Sequence, residues 1–129
     1  PSEVVIVNRT AEKAEQLAQA FADLGNIQGG GLASIDGQFD LVINGTSASL
    51  SGELPPLPET LFAKGAWAYD MMYGSEPTVF LQWAGPRGAK LLDGLGMLVE
   101  QAAESFFLWR NVRPETASVR TLLRQSLNY

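Results

Sequence analysis

The strongest constraint on the fold is an alternation of two kinds of segment. Short runs rich in β-branched residues are followed by stretches whose apolar residues recur at helical spacing. Glu3 to Val7 reads Glu-Val-Val-Ile-Val, the kind of run that suits a parallel strand covered on both faces. Thr10 is placed to cap a helix in which Ala14, Leu17, Ala18, Phe21 and Leu24 form one face, and Gly25-Asn26 closes it. Ile27-Gln28 reads as a short strand and Gly29-Gly30-Gly31 as a flexible stretch, ahead of a second clear strand from Phe39 to Asn44. Residues 45–58 form a loop rich in Ser, Gly and Pro, and 59–64 read as a weak helix ending at Gly65. A third strand runs from Ala66 to Met71, and residues 77–84 predict a helix stopped at Gly85-Pro86, where proline lacks an N–H and has a fixed φ. Ala89 to Leu92 is a short strand, Asp93-Gly94 leads into a long helix through Trp109, and Pro114 precedes a last helix over 115–127. Strands alternating with helices imply an α/β fold: a Rossmann-like, doubly wound, mostly parallel sheet.

Composition narrows the chemistry. A length of 129 residues is one domain's worth of chain. The absence of Cys and His excludes disulfides, thiol nucleophiles, imidazole bases and the usual zinc ligands, so no metal is expected. A net charge of -5 gives no general attraction to nucleic acid or to an anionic membrane. No apolar stretch approaches the length of a membrane span, and a cytoplasmic location is expected.

Ligands of open α/β sheets gather beyond the carboxyl ends of the strands. Those ends here carry Asn8-Arg9-Thr10, Asn44-Gly45-Thr46-Ser47, Asp70 to Tyr73, and Asp93-Gly94. Polar turn residues alone explain any one such cluster; together they describe a crevice. In dinucleotide folds an acidic residue at the first position reads ribose hydroxyls, whereas an Arg suits a 2′-phosphate, and here Arg9 stands with no acid beside it. Lys13 falls in the first helical turn, where the dipole disfavours a cation unless an anion is near. Gly94 can bring backbone close to a planar ligand, with Met97 an adaptable apolar surface and Gln101 one turn further on. Asp70 is open to two uses, general acid–base chemistry or holding loop N–H groups. Trp67, Trp83 and Trp109 are spread over separate elements and read as core or partner-facing packing, and Arg113, Arg120 and Arg124 as solvent-facing.

These residues resemble the C-terminal cofactor-binding domain of the shikimate dehydrogenase family. The resemblance rests on Asn8-Arg9-Thr10 with Lys13, Asn44-x-Thr46-Ser47, Tyr69-Asp70-Met71-x-Tyr73, and above all Asp93-Gly94-Leu95-Gly96-Met97-Leu98 with Gln101. It implies an NADP-dependent enzyme that interconverts 3-dehydroshikimate and shikimate in aromatic amino-acid biosynthesis. By the same resemblance, Asn8, Arg9, Thr10 and Lys13 surround the adenosine 2′-phosphate, and Asn44, Thr46 and Ser47 line the cofactor groove. The Gly94 carbonyl holds the nicotinamide carboxamide, with Met71 and Met97 bordering the ring, and Tyr73 and Gln101 reach the shikimate side. Gly45 stands where the family commonly has alanine, and Ser49 where it often has glycine.

The resemblance also implies what is absent. Residues 1–129 correspond to a partial NADP-binding domain that includes helix 115–127, truncated before its first strand and the Gly-rich turn that receives the diphosphate. The substrate domain, with the catalytic Lys and Asp, is expected to be absent as well, so the chain alone is expected to be inactive and to bind NADP weakly. In the order 3-2-1-4-5-6 the missing strand is central, so the sheet is expected to split between the strands at 3–7 and 39–44. Unpaired edges favour self-association, with a homodimer one outcome. A non-catalytic interaction module derived from this fold, and a quinate-type dehydrogenase of the same superfamily, remain open as alternatives.

Overall fold

The computed structural model describes residues 1–127, and the side chains of Ser49 and Leu50 lie outside the described set. The expectation drawn at Ser49 falls there. The chain divides into two compact units, Pro1–Gln38 with Pro55–Leu61, and Phe39–Leu54 with Phe62–Tyr129.

In the first unit, strand β1 (Val4–Asn8) is followed by helix α1 (Ala11–Ala20) and strand β2 (Ile27–Gly31). The strands pair in parallel from Val4 opposite Ile27 to Asn8 opposite Gly31. The Gly29-Gly30-Gly31 run is therefore strand and not the flexible stretch its composition suggests. Close packing explains it. A Cβ on Gly29 would lie 2.2 Å from the carbonyl oxygen of Ala14 in α1. The helix meets the strand through its smallest residues, since Ala14 and Ala18 are buried while Leu17, Phe21 and Leu24 of the expected apolar face are exposed.

The second unit holds β3 (Phe39–Asn44), β4 (Phe62–Asp70), helix α2 (Val79–Ala84), β5 (Lys90–Leu92), helix α3 (Leu95–Arg110) and helix α4 (Ala117–Ser126). The three strands lie in the order β3-β4-β5, all parallel. The weak helix read at 59–64 does not form; β4 begins at Phe62 and runs through it. Phe39 lies opposite Phe62 but Leu41 opposite Trp67, so β4 bulges, and Gly65 there has φ +80°, a left-handed conformation that favours glycine. A helix over 59–64 would have needed that glycine to be its stop; the strand uses it as a bend.

Residues 66, 68 and 70 of β4 share one face, and Ala66, Ala68 and Asp70 are buried there. Helix α2 packs on this sheet with Phe80, Leu81 and Ala84 buried; each large side chain contributes about 1.5–3 kcal/mol by leaving water. Trp83 stacks against Phe80 and tilts against Phe62, with the Arg87 guanidinium 4.3 Å from its ring centroid. The opposite face carries Leu41, Ile43, Trp67 and Leu92, all more than two-fifths exposed. Trp109 is also exposed, so of the three Trp83 is the one packed inside the described chain, while Trp67 and Trp109 face outward.

Helix α3 buries Leu95, Val99 and Ala103, whereas Ala102 and Phe106 are exposed. Helix α4 begins at Ala117, later than expected, and Glu115, just ahead of the Thr116 cap position, accepts from the Ala117 and Ser118 N–H groups and the Ser118 hydroxyl.

The expected split is present: among the described residues β1 pairs only with β2, and β3 is the end strand of its own three-stranded sheet. Among the described residues no helix is long and apolar enough to cross a membrane, and no group of His, Cys, Asp and Glu is arranged to hold a metal ion.

Candidate functional site

Because β3, β4 and β5 are parallel, their carboxyl ends share one edge, and Asn44 and Asp70 form its centre. Asn44 is buried, as the last residue of β3; its Oδ1 accepts from the Thr46 N–H at 3.1 Å and the Thr46 hydroxyl at 2.8 Å. Its Nδ2 donates to Asp70 Oδ2 at 3.2 Å, and its main-chain carbonyl accepts from the Met71 N–H at 3.0 Å. Asp70 is fully buried. Its carboxylate also accepts from the Thr78 hydroxyl at 2.6 Å and the Met72 N–H at 3.0 Å. Thr78 in turn caps α2, its Oγ1 accepting from the Leu81 N–H. Of the two uses open to Asp70, the structure shows the second: a buried acceptor that ties the β3 end, the β4 loop and the α2 cap together.

The second element of the edge is the turn between β5 and α3. Gly94 packs so closely on the loop after β4 that a Cβ would lie 1.9 Å from the Met71 carbonyl oxygen. Its N–H donates to the Met72 carbonyl at 3.1 Å, and its own carbonyl accepts from the Leu98 N–H at 3.0 Å. A carbonyl has a second lone pair, so that helical bond does not exhaust Gly94 as an acceptor. Gly45 is drawn into the same place; a Cβ there would be 3.2 Å from the Met71 sulfur. Asn44, Gly45, Thr46, Met71 and Gly94 are thus brought together, with Ser47 following on the exposed loop. Met97 and Gln101 are exposed one helical turn apart on α3, and Tyr73 is exposed on the β4–α2 loop.

Asp93 is held from two sides. Its Oδ1 accepts from the Leu95 N–H at 3.2 Å, and its carboxylate takes both ends of the Arg124 guanidinium at 2.6 and 2.7 Å. Arg124 is therefore no solvent-facing cation of α4. Its contact spans 31 positions of sequence, so no local pattern could reveal it. Thr78 was nearer to hand: a threonine directly before an apolar helical run is a cap signal. Arg113 pairs with Glu104 at 2.7 Å and Arg120 lies 3.8 Å from Glu100, both at the surface. The Arg113 hydrogen bond holds the Glu104 carboxyl below its ordinary pKa.

In the first unit, Asn8, Arg9 and Thr10 follow the end of β1 and Lys13 lies in the first turn of α1. Thr10 occupies the cap position, but its side chain makes no cap bond; the Asn8 side chain instead accepts the Thr10 N–H at 3.0 Å. Arg9 and Lys13 are exposed, and neither has an ionic partner among the described residues.

Parallel strands with flanking helices, ending in a polar edge where glycines admit close backbone contact, define the doubly wound α/β class, whose ligands bind beyond the strand ends. Residues 94–124 match the family described as shikimate 5′-dehydrogenase C-terminal domain. The chain is 64% identical over 127 residues to shikimate dehydrogenase (NADP(+)) of Chromohalobacter salexigens, covering 98% of this chain and 47% of that protein. Among solved structures it is similar to an Ael1 enzyme from Pseudomonas putida, with TM-score 0.87 and 46% identity over 95% of this chain and 46% of that one. It is also similar to shikimate 5-dehydrogenase from Thermus thermophilus in complex with shikimate, with TM-score 0.76 and 31% identity over 98% of this chain and 46% of that one. Over nearly its whole length the chain matches the C-terminal half of shikimate dehydrogenases. It spans about half the length of the curated relatives it matches.

Proposed function

We propose that residues 1–129, α4 included, serve as the NADP-binding part of an NADP-dependent shikimate dehydrogenase, acting in the cytoplasm in aromatic amino-acid biosynthesis. The observation that carries this reading is the Gly94 turn pressed onto the Met71 carbonyl beside Asn44 and Thr46, in a chain 64% identical to a protein named shikimate dehydrogenase (NADP(+)).

The residues present fit the cofactor. The exposed Arg9 and Lys13, without ionic partners, suit a 2′-phosphate: Arg9 as a planar fork and Lys13 as a point charge, with Asn8 and Thr10 beside them. Thr46 and Ser47, on the loop pinned by Asn44, are to line the groove. The free lone pair of the Gly94 carbonyl is to hold the nicotinamide carboxamide, with Met71 and Met97 bordering the ring. Bound NADPH supplies a hydride equivalent to the carbonyl carbon of 3-dehydroshikimate. The part of this chain is to bind and orient: Tyr73 and Gln101 face the substrate, and the buried Asp70 keeps the loops around it in register. No catalytic acid–base residue is assigned to this chain: the resemblance places the catalytic Lys and Asp in the substrate domain, and the buried carboxylates Asp70 and Asp93 are committed to structural donors. Self-association through the free edges of β1 and β3 belongs to the same proposal, and sedimentation showing a monomer at micromolar concentration would exclude it.

Calorimetric titration with NADP and with NAD tests the reading. NADP is expected to bind more tightly than NAD, and Arg9→Ala to cost roughly 1.5–3 kcal/mol of NADP affinity, the range for a hydrogen bond to a charged group, with little effect on NAD. Equal losses for the two cofactors would refute the 2′-phosphate role, and absence of binding to either would refute cofactor binding by this chain.

A further inference from the structure

We infer that Arg124 is a positioning residue for the nicotinamide end of the cofactor site, acting through Asp93; this rests on the cofactor reading given above. Asp93 precedes Gly94 directly, and its side chain is only 4% exposed. A carboxylate so buried requires donors, and here it has three: the two ends of the Arg124 fork, and the Leu95 N–H that opens α3. The two strongest come from α4, since a bidentate guanidinium fixes direction as well as distance. Without them the carboxylate keeps one long bond of 3.2 Å to Leu95 and must turn toward water to replace the rest.

Turning also gives up the Leu95 bond, which ties Asp93 to the first turn of α3 directly after Gly94. The Gly94 N–H is bonded to Met72, and Gly94 abuts the Met71 carbonyl with no room to move inward. With the Asp93 ties gone, the Gly94 turn is freed to move outward, away from Met71. These are the groups assigned to the carboxamide and to the ring. Among the described residues, the other polar ties that join α3 to α4 and the segment before it are exposed: Arg113 to Glu104, Thr116 and Arg120 to Glu100. Arg124 alone among these reaches the strand-end turn, so α4 works as a strap whose buckle is the Asp93 carboxylate.

The strap predicts an effect confined to one end of the ligand. The test uses the 129-residue chain, titrated with NADP and with 2′,5′-ADP, which carries the 2′-phosphate but no nicotinamide. Arg124→Ala is expected to weaken NADP about tenfold while 2′,5′-ADP stays within about twofold, and Arg124→Lys, a single point charge, is expected to recover part of the loss. Amide exchange without ligand reads the turn itself. The Gly94 N–H is expected to exchange about tenfold faster in Arg124→Ala, while the Gln82 N–H, bonded to Thr78 within α2, keeps its rate. Equal losses for NADP and 2′,5′-ADP, faster exchange at Gln82 as well as Gly94, or unchanged NADP affinity would each overturn the inference. If wild type binds neither ligand yet Gly94 exchange rises selectively, the cofactor reading fails and only the mechanical link between α4 and the turn stands.

Discussion

Replacing Gly94 by alanine adds one methyl group at the tightest backbone contact of the strand-end edge. The backbone there has φ -75° and ψ -3°, which any residue adopts, so the entire penalty is steric. The new Cβ would lie 1.9 Å from the Met71 carbonyl oxygen and 2.6 Å from its carbon, whereas carbon–oxygen contacts settle at roughly 3.3 Å. The two turns must part by about 1 Å or more, which breaks the 3.1 Å bond from the Gly94 N–H to Met72. Overpacking costs about 1–3 kcal/mol and the lost buried bond about 1 kcal/mol, giving a destabilisation of about 2–4 kcal/mol. All three tryptophans lie in the unit that contains Gly94, so their fluorescence in a urea titration reports its unfolding directly. With an m-value of about 2 kcal/mol/M the midpoint falls by on the order of 1–2 M. Gly96→Ala is the matched control, because a Cβ there meets nothing within 4 Å and a helical alanine gains up to about 1 kcal/mol over glycine. If Gly94→Ala unfolds within about 0.5 kcal/mol of the parent, the close approach of the two turns is not a feature of the molecule in solution.

Gly29→Ala is expected to destabilise the first unit by about 2–4 kcal/mol, since its Cβ would meet the Ala14 carbonyl oxygen at 2.2 Å; protection of the α1 amides from exchange measures it, and unchanged protection would contradict the packing. Asp70→Ala strips the acceptor from the Asn44 amide, the Thr78 hydroxyl and the Met72 N–H. At roughly 1–3 kcal/mol for each donor left unpaired, partly relieved by relaxation, a loss of about 3–5 kcal/mol in the fluorescence-detected melt is expected. Glu104 titrates below the ordinary carboxylate range because of its hydrogen bond from Arg113. Its contribution is thus complete above that range and disappears as pH falls through the lowered value. Carbon-detected titration of its carboxyl should show the midpoint rising in Arg113→Gln; no change would mean that the pair does not persist in water.

The strand from Phe39 to Asn44 and the helix following Asp93-Gly94 were legible in the chain because each announces itself locally. One is a compact apolar run, the other a long segment at helical period. Local composition failed where a second segment decides the outcome. The glycines at 29–31 look flexible until α1 lies upon them, and Gly65 looks like a helix stop until β4 bends there to stay in register with β3. The candidate residues of the polar edge were visible as strand-end clusters, but not their mutual bonds. Asp70 was seen as a carboxylate with two uses, and only the arrival of Asn44, Thr78 and Met72 around it selects one.

Residue types and their short spacings were enough for the alternation of strand and helix, the absence of thiol and imidazole chemistry, the placing of polar residues at strand ends, and the resemblance carried by Asp93 to Gln101. These depend on residue type and short spacing, which a linear chain states outright. Tertiary structure decided the order of the strands within their two sheets, the burial of Asp70 and Asp93, the press of Gly94 on Met71, and the recruitment of Arg124 from a helix 31 positions away. Each of these is a meeting of segments distant in sequence, where burial turns an ordinary polar group into one that must be satisfied and an ordinary glycine into one that cannot be replaced.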